Sequence, residues 1–214
     1  MKIILTPHIQ NGDKSMIDVT INRERGLGGS DTYALMKNDW YNLWLLKTKR
    51  KKPTNFSNKL NVQIGIATEH VNEKFLQKKL KLYWEPFSGG QLVLEHKKLL
   101  TNKGGICYAH YDGYIPQLNY LVEYKHTADI SFHTGTQKKI SEVKQNYMAQ
   151  LQHYMYVANK EAIYLSVIFG NNRHEYELIY RDEEFINRLL GYEKAFWSYV
   201  VTDTPPSIIL KEKN

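Results

Sequence analysis

Asp112, Glu123 and Lys125 are spaced so that two adjacent strands would bring their side chains together. Glu123 and Lys125 are two residues apart, so on a strand they face the same side, and so do His110 and Asp112 on the preceding segment. Facing carboxylates repel each other, and a divalent cation bound by oxygen ligands removes that repulsion. A neighbouring lysine can orient an attacking water or meet charge that develops on a phosphate. These residues indicate a divalent-metal site with a lysine beside it; the alternative is a solvated face whose charges have no role.

The turn between the two strands sets their register. If residues 116–119 form a four-residue turn, Asp112 lies directly opposite Glu123, and His110 lies opposite Lys125. Facing residues have Cβ atoms about 4.5–5.5 Å apart, which is close enough for two carboxylates to share a metal ion. A bulge in either strand would shift this register.

The pattern Asp112…Glu123-Tyr124-Lys125 resembles the split Asp…Glu-x-Lys motif of the PD-(D/E)XK nuclease superfamily. Three further elements, in the family's order, resemble the branch that contains lambda exonuclease and the YqaJ-like viral recombinases. They are an Arg…Gly-x-Ser element at residues 25–31, a Gly-x-x-x-Glu element at 65–69 and a Gln-x-x-x-Tyr element at 150–154. The resemblance covers residues 25–154.

This resemblance implies a role for each residue of the catalytic centre. Asp112, Glu123 and Glu69 would bind Mg²⁺, for which Mn²⁺ could substitute, and the Tyr124 carbonyl would be a further ligand. Lys125 would orient the nucleophilic water. We therefore expect two-metal hydrolysis of phosphodiesters.

The resemblance also implies a pocket for a terminal 5′-phosphate, formed by Arg25, Ser30 and Gln150. An arginine fork and a hydroxyl at a helix N-terminus suit an anion. The alternatives are an ordinary N-cap for Ser30 and a solvent-facing helix position for Gln150. Lambda exonuclease has a serine that contributes to phosphate binding two residues before the aspartate. This chain has His110 there, which can donate to a phosphate or titrate beside the metals.

The composition agrees with a nucleic-acid partner but does not require one. The net charge is +7 and the pI is about 9.2, and a basic domain attracts polyanions. The basic run 47–52 is either a solvated loop or a phosphate contact. The single cysteine, Cys107, excludes a disulfide framework and an all-cysteine metal site. The longest apolar runs, such as Ala162–Phe169, are too short to span a membrane, so we expect a cytoplasmic protein, in the host cytoplasm if phage-encoded.

Hydrophobic periodicity places these residues on a mixed framework of helices and strands. We predict helices over 31–37, 39–47, 62–80, 137–158 and 182–200, the last beginning at an Asp182 cap, and strands over 91–95, 105–115, 120–126, 162–169 and 173–180. Apolar residues at 64, 67, 71 and 75 fall on one stripe of the third helix, and those at 140, 143, 147, 151, 154 and 158 on one stripe of the fourth, which favours core packing for Tyr154. This order is typical of an α/β domain in which helices pack on a mixed sheet. The resemblance specifies a restriction-endonuclease-like mixed β-sheet flanked by α-helices, as a single nuclease domain over residues 1–214.

By resemblance, the protein is expected to be an exonuclease that digests one strand of double-stranded DNA from its end, 5′→3′, in phage-type recombination beside a single-strand annealing protein. The alternatives are an endonuclease of the same fold and a non-catalytic DNA-binding module. The complete Glu/Asp/Glu/Lys set argues against the module. The last helix carries more aromatic surface than one packed face uses, which suggests a homotrimer of the lambda exonuclease kind. The alternative is a monomer whose own core takes up the whole helix. The aromatic residues of this helix are Phe185, Tyr192, Phe196, Trp197 and Tyr199.

Overall fold

The computed structural model describes residues 23–85, 92–96 and 105–207, so the predicted domain bounds and Gln91 of the first predicted strand lie outside the described residues. After a 3₁₀ helix, Arg23–Arg25, the helices are α1 Gly29–Met36, α2 Trp40–Lys47, α3 Leu60–Leu80, α4 Ile140–Ala158 and α5 Glu183–Val201. The strands are β1 Gly26–Gly28, β2 Leu92–His96, β3 Ile106–Tyr111, β4 Gly113–Ile115, β5 Tyr120–Thr127, β6 Ala162–Phe169 and β7 Arg173–Tyr180. Within these ranges, no helix has the length and apolar character needed to cross a membrane.

The strands form two sheets that meet at Asp112. One has the order β1-β3-β2 and the other β4-β5-β6-β7, and both combine parallel with antiparallel pairs. The predicted strand 105–115 is therefore two strands, separated by a bend at Asp112. The Asp112 side chain accepts the main-chain N–H of Tyr124 at 2.9 Å. A side chain therefore takes the place of a main-chain ladder partner, and the chain can leave one sheet and join the other.

The predicted hairpin register is confirmed only on one side of this bend. Ile115 pairs with Tyr120, as the four-residue turn predicts. His110 belongs to the other sheet and pairs with Val93. The expectation that His110 faces Lys125 across a ladder is therefore wrong, because the bend turns β3 away from β5.

Helices cover the β4–β7 sheet on both faces, and the alternation of β5 separates the two layers. Leu121 of β5 belongs to the larger core, which also contains residues of α1, α2, α4 and α5. Val122 and Tyr124 belong to a smaller core with Leu76 of α3. The odd-numbered residues of β5 therefore face α4, and the even-numbered residues face α3.

Two helices differ from the sequence predictions in what they bury. The face of α3 that packs on the sheet contains Asn72 and Leu76, whereas Phe75 is 49% exposed. In α5, which begins after the predicted Asp182 cap, Phe196 and Trp197 are buried in the protein's own core. The aromatic surface expected to meet a neighbour is therefore reduced, although Tyr192 of this helix is 46% exposed.

Candidate active site

A cavity of about 440 Å³ lies between α1, α3, α4, β3 and β5. Eight of the nine predicted site residues line it: Ser30, Glu69, His110, Asp112, Glu123, Tyr124, Lys125 and Gln150. The ninth, Arg25, is exposed and is not one of the residues that line the cavity. The structure thus brings together residues that are far apart in the sequence.

Asp112 and Glu123 form the acidic end of this cavity. The bond from the Tyr124 N–H holds Asp112 next to the buried Glu123 side chain. Burial, together with the negative charge of Asp112, raises the pKa of Glu123 to about 8. Glu123 Oε1 accepts a hydrogen bond from Gln150 Nε2 at 2.7 Å and pairs with Lys125. Its second oxygen, Oε2, is buried without a hydrogen-bond partner among the described residues.

This pair of carboxylates fits a divalent cation, although the ligand set is not closed. In the described ranges, no three His, Cys, Asp or Glu side chains are grouped so that they could hold a metal ion as they stand. Hydrogen bonds already engage one oxygen of Glu123 and one of Asp112. The unpaired Glu123 Oε2 and the repulsion between the two acids are what a cation would relieve. Glu69 lies in the cavity wall on α3, and its role as a ligand stays a prediction.

Lys125 is a cation held at the edge of the acidic end. Burial disfavours its charged form, but the carboxylates of Glu123 and Asp112 outweigh this, so the pKa of Lys125 is raised. Its Nζ also lies 5.0 Å from the centroid of the Tyr147 ring, a cation–π contact. Lys125 is therefore placed to donate hydrogen bonds at the acidic end of the cavity.

The start of α1 forms the other end of the cavity. The N-cap is Gly28, whose N–H is accepted by the Asp31 carboxylate at 2.9 Å. The prediction that Ser30 is the N-cap is therefore wrong, because the acid three residues after Gly28 satisfies the helix end instead. Ser30 lies in the first turn, and its hydroxyl accepts a hydrogen bond from Arg23 Nη2 at 3.1 Å.

Arg23, not Arg25, lines the cavity beside Ser30. The two arginines lie in a 3₁₀ helix, which has three residues per turn, so residues two apart point to different sides. Arg23 Nη2 also pairs with Asp31 at 2.9 Å. Asp31 pairs in turn with the buried Lys47 at 2.6 Å. The guanidinium group of Arg23 is therefore held in a fixed position at the cavity wall.

The Asp31 carboxylate is fully buried and charged. Burial favours its neutral form, but the positive charges of Lys47 and Arg23 outweigh this effect, so the pKa of Asp31 is lowered. His110 lies nearby in the wall, and its ring centroid is 5.4 Å from that of Tyr108. Burial and the charge of Arg23 lower the pKa of His110, so its imidazole is neutral near pH 7 and can donate one N–H.

Two glycines allow α1 to approach the cavity. A Cβ at Gly28 would lie 2.4 Å from the Tyr108 ring, and one at Gly29 would lie 2.3 Å from the Tyr154 ring. Tyr154 is buried, as the sequence predicts, and its hydroxyl also accepts a hydrogen bond from Gln150 at 2.9 Å. The close packing of α1 on the two tyrosine rings positions Ser30, and the hydrogen bond to Tyr154 positions Gln150.

Several residues of this wall are not among the predicted site residues. Arg23 lines the cavity where Arg25 was expected, and Tyr147, predicted to lie on the apolar stripe of α4, lines it as well. His126, which follows the Glu-x-Lys motif and is not a predicted site residue, also lines the cavity, and its Nδ1 lies 3.0 Å from Thr68 Oγ1. The alternation of β5 could have placed His126 toward α3, but no sequence pattern links it to Thr68.

Residues 21–161 of the chain, about two thirds of it, match the sequence model of the YqaJ-like viral recombinase domain. The uncharacterized protein YqaJ of Bacillus subtilis (strain 168) is 26% identical over 196 residues, covering 88% of this chain. The chain spans 57% of the length of that relative.

Solved structures of exonucleases share this fold, and two of them illustrate the likeness. An alkaline exonuclease from Laribacter hongkongensis superimposes with a TM-score of 0.59 at 13% identity, covering 85% of this chain and 90% of the other. A phage related exonuclease from Haemophilus somnus 129PT gives a TM-score of 0.51 at 14% identity, covering 82% of each. At these identities the likeness concerns the fold, which is the restriction-endonuclease-like α/β arrangement. With the family model matched over about two thirds of its length, the chain belongs to the YqaJ-like viral recombinase domain family.

Proposed function

We propose that this protein is a Mg²⁺-dependent exonuclease that digests one strand of linear double-stranded DNA from its end in the 5′→3′ direction. The observation that carries the proposal is a single cavity with two chemically different ends. One end contains the acidic side chains of Asp112 and Glu123 with Lys125 beside them, and the other contains Arg23 and Ser30. An enzyme that binds a terminal phosphate and cleaves a bond nearby needs both.

At the acidic end, Asp112 and Glu123 would hold Mg²⁺, or Mn²⁺ in its place, with Glu69 and the Tyr124 carbonyl as further ligands. The bound ion would supply an activated water and would neutralise charge on the phosphate. The protonated Lys125 would donate to that water or to a phosphate oxygen. Gln150 keeps the Glu123 carboxylate in place through its hydrogen bond at 2.7 Å.

At the other end, Arg23 takes the role that the family resemblance suggested for Arg25. Its guanidinium is fixed by Asp31 and lies beside the Ser30 hydroxyl, so both can donate to a terminal 5′-phosphate. The neutral imidazole of His110 would contribute one N–H. Gln150 connects the two ends, because it contacts both Glu123 and the start of α1 at Gly29. A phosphate bound here would place the following phosphodiester toward the carboxylates.

Recombination is the biological setting that the family suggests. The chain belongs to a viral recombinase family, and structures of an alkaline and a phage related exonuclease share its fold. The proposed partners are DNA ends, drawn by the net charge of +7, and a single-strand annealing protein that would coat the exposed strand.

The proposal is tested with end-labelled linear duplexes and a closed circular plasmid, each incubated with and without Mg²⁺. Asp112→Ala is the control for contaminating nuclease. Mg²⁺-dependent loss of the linear DNA beside an intact circle supports an end-dependent exonuclease. Cleavage of the circle would indicate an endonuclease of the same fold. Binding without hydrolysis would indicate a non-catalytic DNA-binding module.

A further inference from the structure

Helix α3 has a glycine in its interior for which the packing of the described residues gives no reason. Gly65 is the sixth residue of this 21-residue helix. A glycine inside a helix is less favourable than alanine because it loses more backbone freedom on folding. A Cβ built at Gly65 would meet nothing within 4 Å among the described residues. Gly28 and Gly29 differ in this respect, because a Cβ there would collide with tyrosine rings.

Gly65 lies on the cavity face of α3. Asn61, Gly65 and Glu69 are four residues apart, so they form one stripe of the helix, and all three line the cavity. The stripe extends about 12 Å along the helix axis, from the carboxylate of Glu69 to the helix start. The first turn of α3 contains no acidic residue, and Lys59 at the N-cap position makes no side-chain cap. The partial positive charge of this helix end is therefore not offset locally.

We propose that the substrate DNA strand runs along this stripe and that its backbone contacts the main chain of α3 at Gly65. This inference rests on the proposed function. The missing side chain leaves room for the sugar-phosphate backbone immediately beside the carboxylates, where a methyl group would intrude. The Asn61 amide, one turn nearer the helix start, would donate to the next phosphate along the strand.

The test compares Gly65→Ala with a matched control, Gly191→Ala. Gly191 lies inside α5, is exposed, would place a Cβ in open space and does not line the cavity. Both substitutions should raise the Tm by about 1–4 °C, because alanine favours the helix. Gly65→Ala alone should weaken binding of a fluorescent 5′-phosphorylated duplex, measured by anisotropy in Ca²⁺. The expected increase in Kd is roughly 5- to 150-fold, the usual effect of overpacking a contact by one methyl group.

Gly65→Ala would then be more stable and yet a poorer DNA binder, a combination that a purely structural role does not produce. Equal Kd values for the two variants, with active wild-type protein, would overturn this inference and leave the proposed function standing. A lower Tm for Gly65→Ala would also overturn it, since the glycine would then serve the helix packing. If the wild-type protein neither binds nor degrades DNA, the proposed function fails and this inference fails with it.

Discussion

The side-chain amide of Asn72, on α3, donates to the main-chain carbonyl of Lys125, on β5, at 3.1 Å. The same nitrogen donates to the carbonyl of Ser166, on β6, at 3.0 Å. The buried Asn72 therefore ties α3 to two adjacent strands, three residues after Glu69. A shift of α3 along the strands would break both hydrogen bonds. Asn72 therefore holds Glu69, one turn earlier on the helix, in position relative to Lys125.

We predict that Asn72→Ala raises the Mg²⁺ concentration needed for half-maximal nuclease activity, because Glu69 is no longer held against β5. Losing the two hydrogen bonds that the Asn72 amide donates should also cost about 1–3 kcal/mol of stability. Ser166→Ala is the control: it removes the hydroxyl that donates to Asn72 Oδ1 at 2.6 Å but keeps both carbonyl contacts. A Mg²⁺ titration of activity distinguishes the roles, since a loss of Tm with an unchanged titration would make Asn72 merely structural.

The pKa of Glu123 predicts how stability depends on pH in metal-free protein. Folding raises this pKa from 4.5 to about 8, so the folded state favours the protonated acid. The contribution of Glu123 to the free energy of unfolding is fully present below about pH 4.5 and is lost as the pH rises through about 8. The Tm without metal should fall over this window, and the increase in Tm on adding Mg²⁺ should grow with pH.

Glu123→Gln removes the titrating group and provides the control for this prediction. The variant should lose this part of the pH dependence, and Mg²⁺ should have little effect on its Tm. Thermal melts by circular dichroism across the window, with EDTA or Mg²⁺, provide the measurement. A wild-type Tm in EDTA that rises steadily toward pH 8 would contradict the prediction.

Arg23 and Arg25 give a paired test of the phosphate end. Wild-type protein should digest 5′-phosphorylated duplex faster than 5′-hydroxyl duplex, and Arg23→Ala should remove most of the difference. The expected loss is roughly ten- to hundredfold, the value of a charge-assisted hydrogen bond. Arg25→Ala keeps the same net charge as Arg23→Ala and should retain the preference. The opposite ranking of the two variants in kcat/KM would restore Arg25 to the pocket.

Asp112→Ala should abolish Mg²⁺-dependent hydrolysis, and Lys125→Ala should strongly reduce it. Asp112→Ala would remove a proposed metal ligand. Lys125→Ala would remove a hydrogen-bond donor, a change that lowers kcat roughly 10²–10³-fold. Ca²⁺ should support DNA binding with little turnover, since its flexible coordination positions the reacting groups poorly. Hydrolysis by Asp112→Ala in excess EDTA would exclude this assignment of the catalytic centre.

We predict that the protein is a homotrimer. Processive digestion requires an enzyme that seldom releases the strand, and a three-fold ring of subunits, as in lambda exonuclease, would encircle the duplex. Light scattering at micromolar concentration should then give about 75 kDa, three times the chain mass of 25.1 kDa. The half-exposed Tyr192 of α5 marks the surface at which a neighbour would pack. A mass of about 25 kDa would exclude the ring, and a monomer challenged with excess unlabelled DNA would leave partly digested strands.

Local patterns in the sequence predicted much of the fold. The Ile115–Tyr120 pairing, both strands after α4 and the Asp182 cap are confirmed, because turn residues, alternation and caps act over a few residues. The bend at Asp112 was not predictable in this way, since it depends on a side chain replacing a main-chain partner. The buried face of α3 was missed because Asn72, a polar residue, is at its centre.

The candidate site could be predicted as a set of residues but not in its detail. Eight of the nine predicted residues line one cavity, although nothing in the sequence distinguishes Arg23 from Arg25. Their difference arises from the pitch of a 3₁₀ turn and from the ion pair with Asp31. The contact between Asn72 and Lys125 also joins distant segments, and no local pattern reports such a contact.

The alternation along β5 has a consequence for how this family can evolve. Glu123 and Lys125 face the cavity, while Val122 and Tyr124 anchor the smaller core behind the same strand. A single inserted or deleted residue would exchange the two faces, removing the charges from the cavity and the apolar side chains from the core at once. Point substitutions on either face can accumulate separately, but the length of this strand cannot drift. Lineages of this domain should therefore place their insertions and deletions elsewhere.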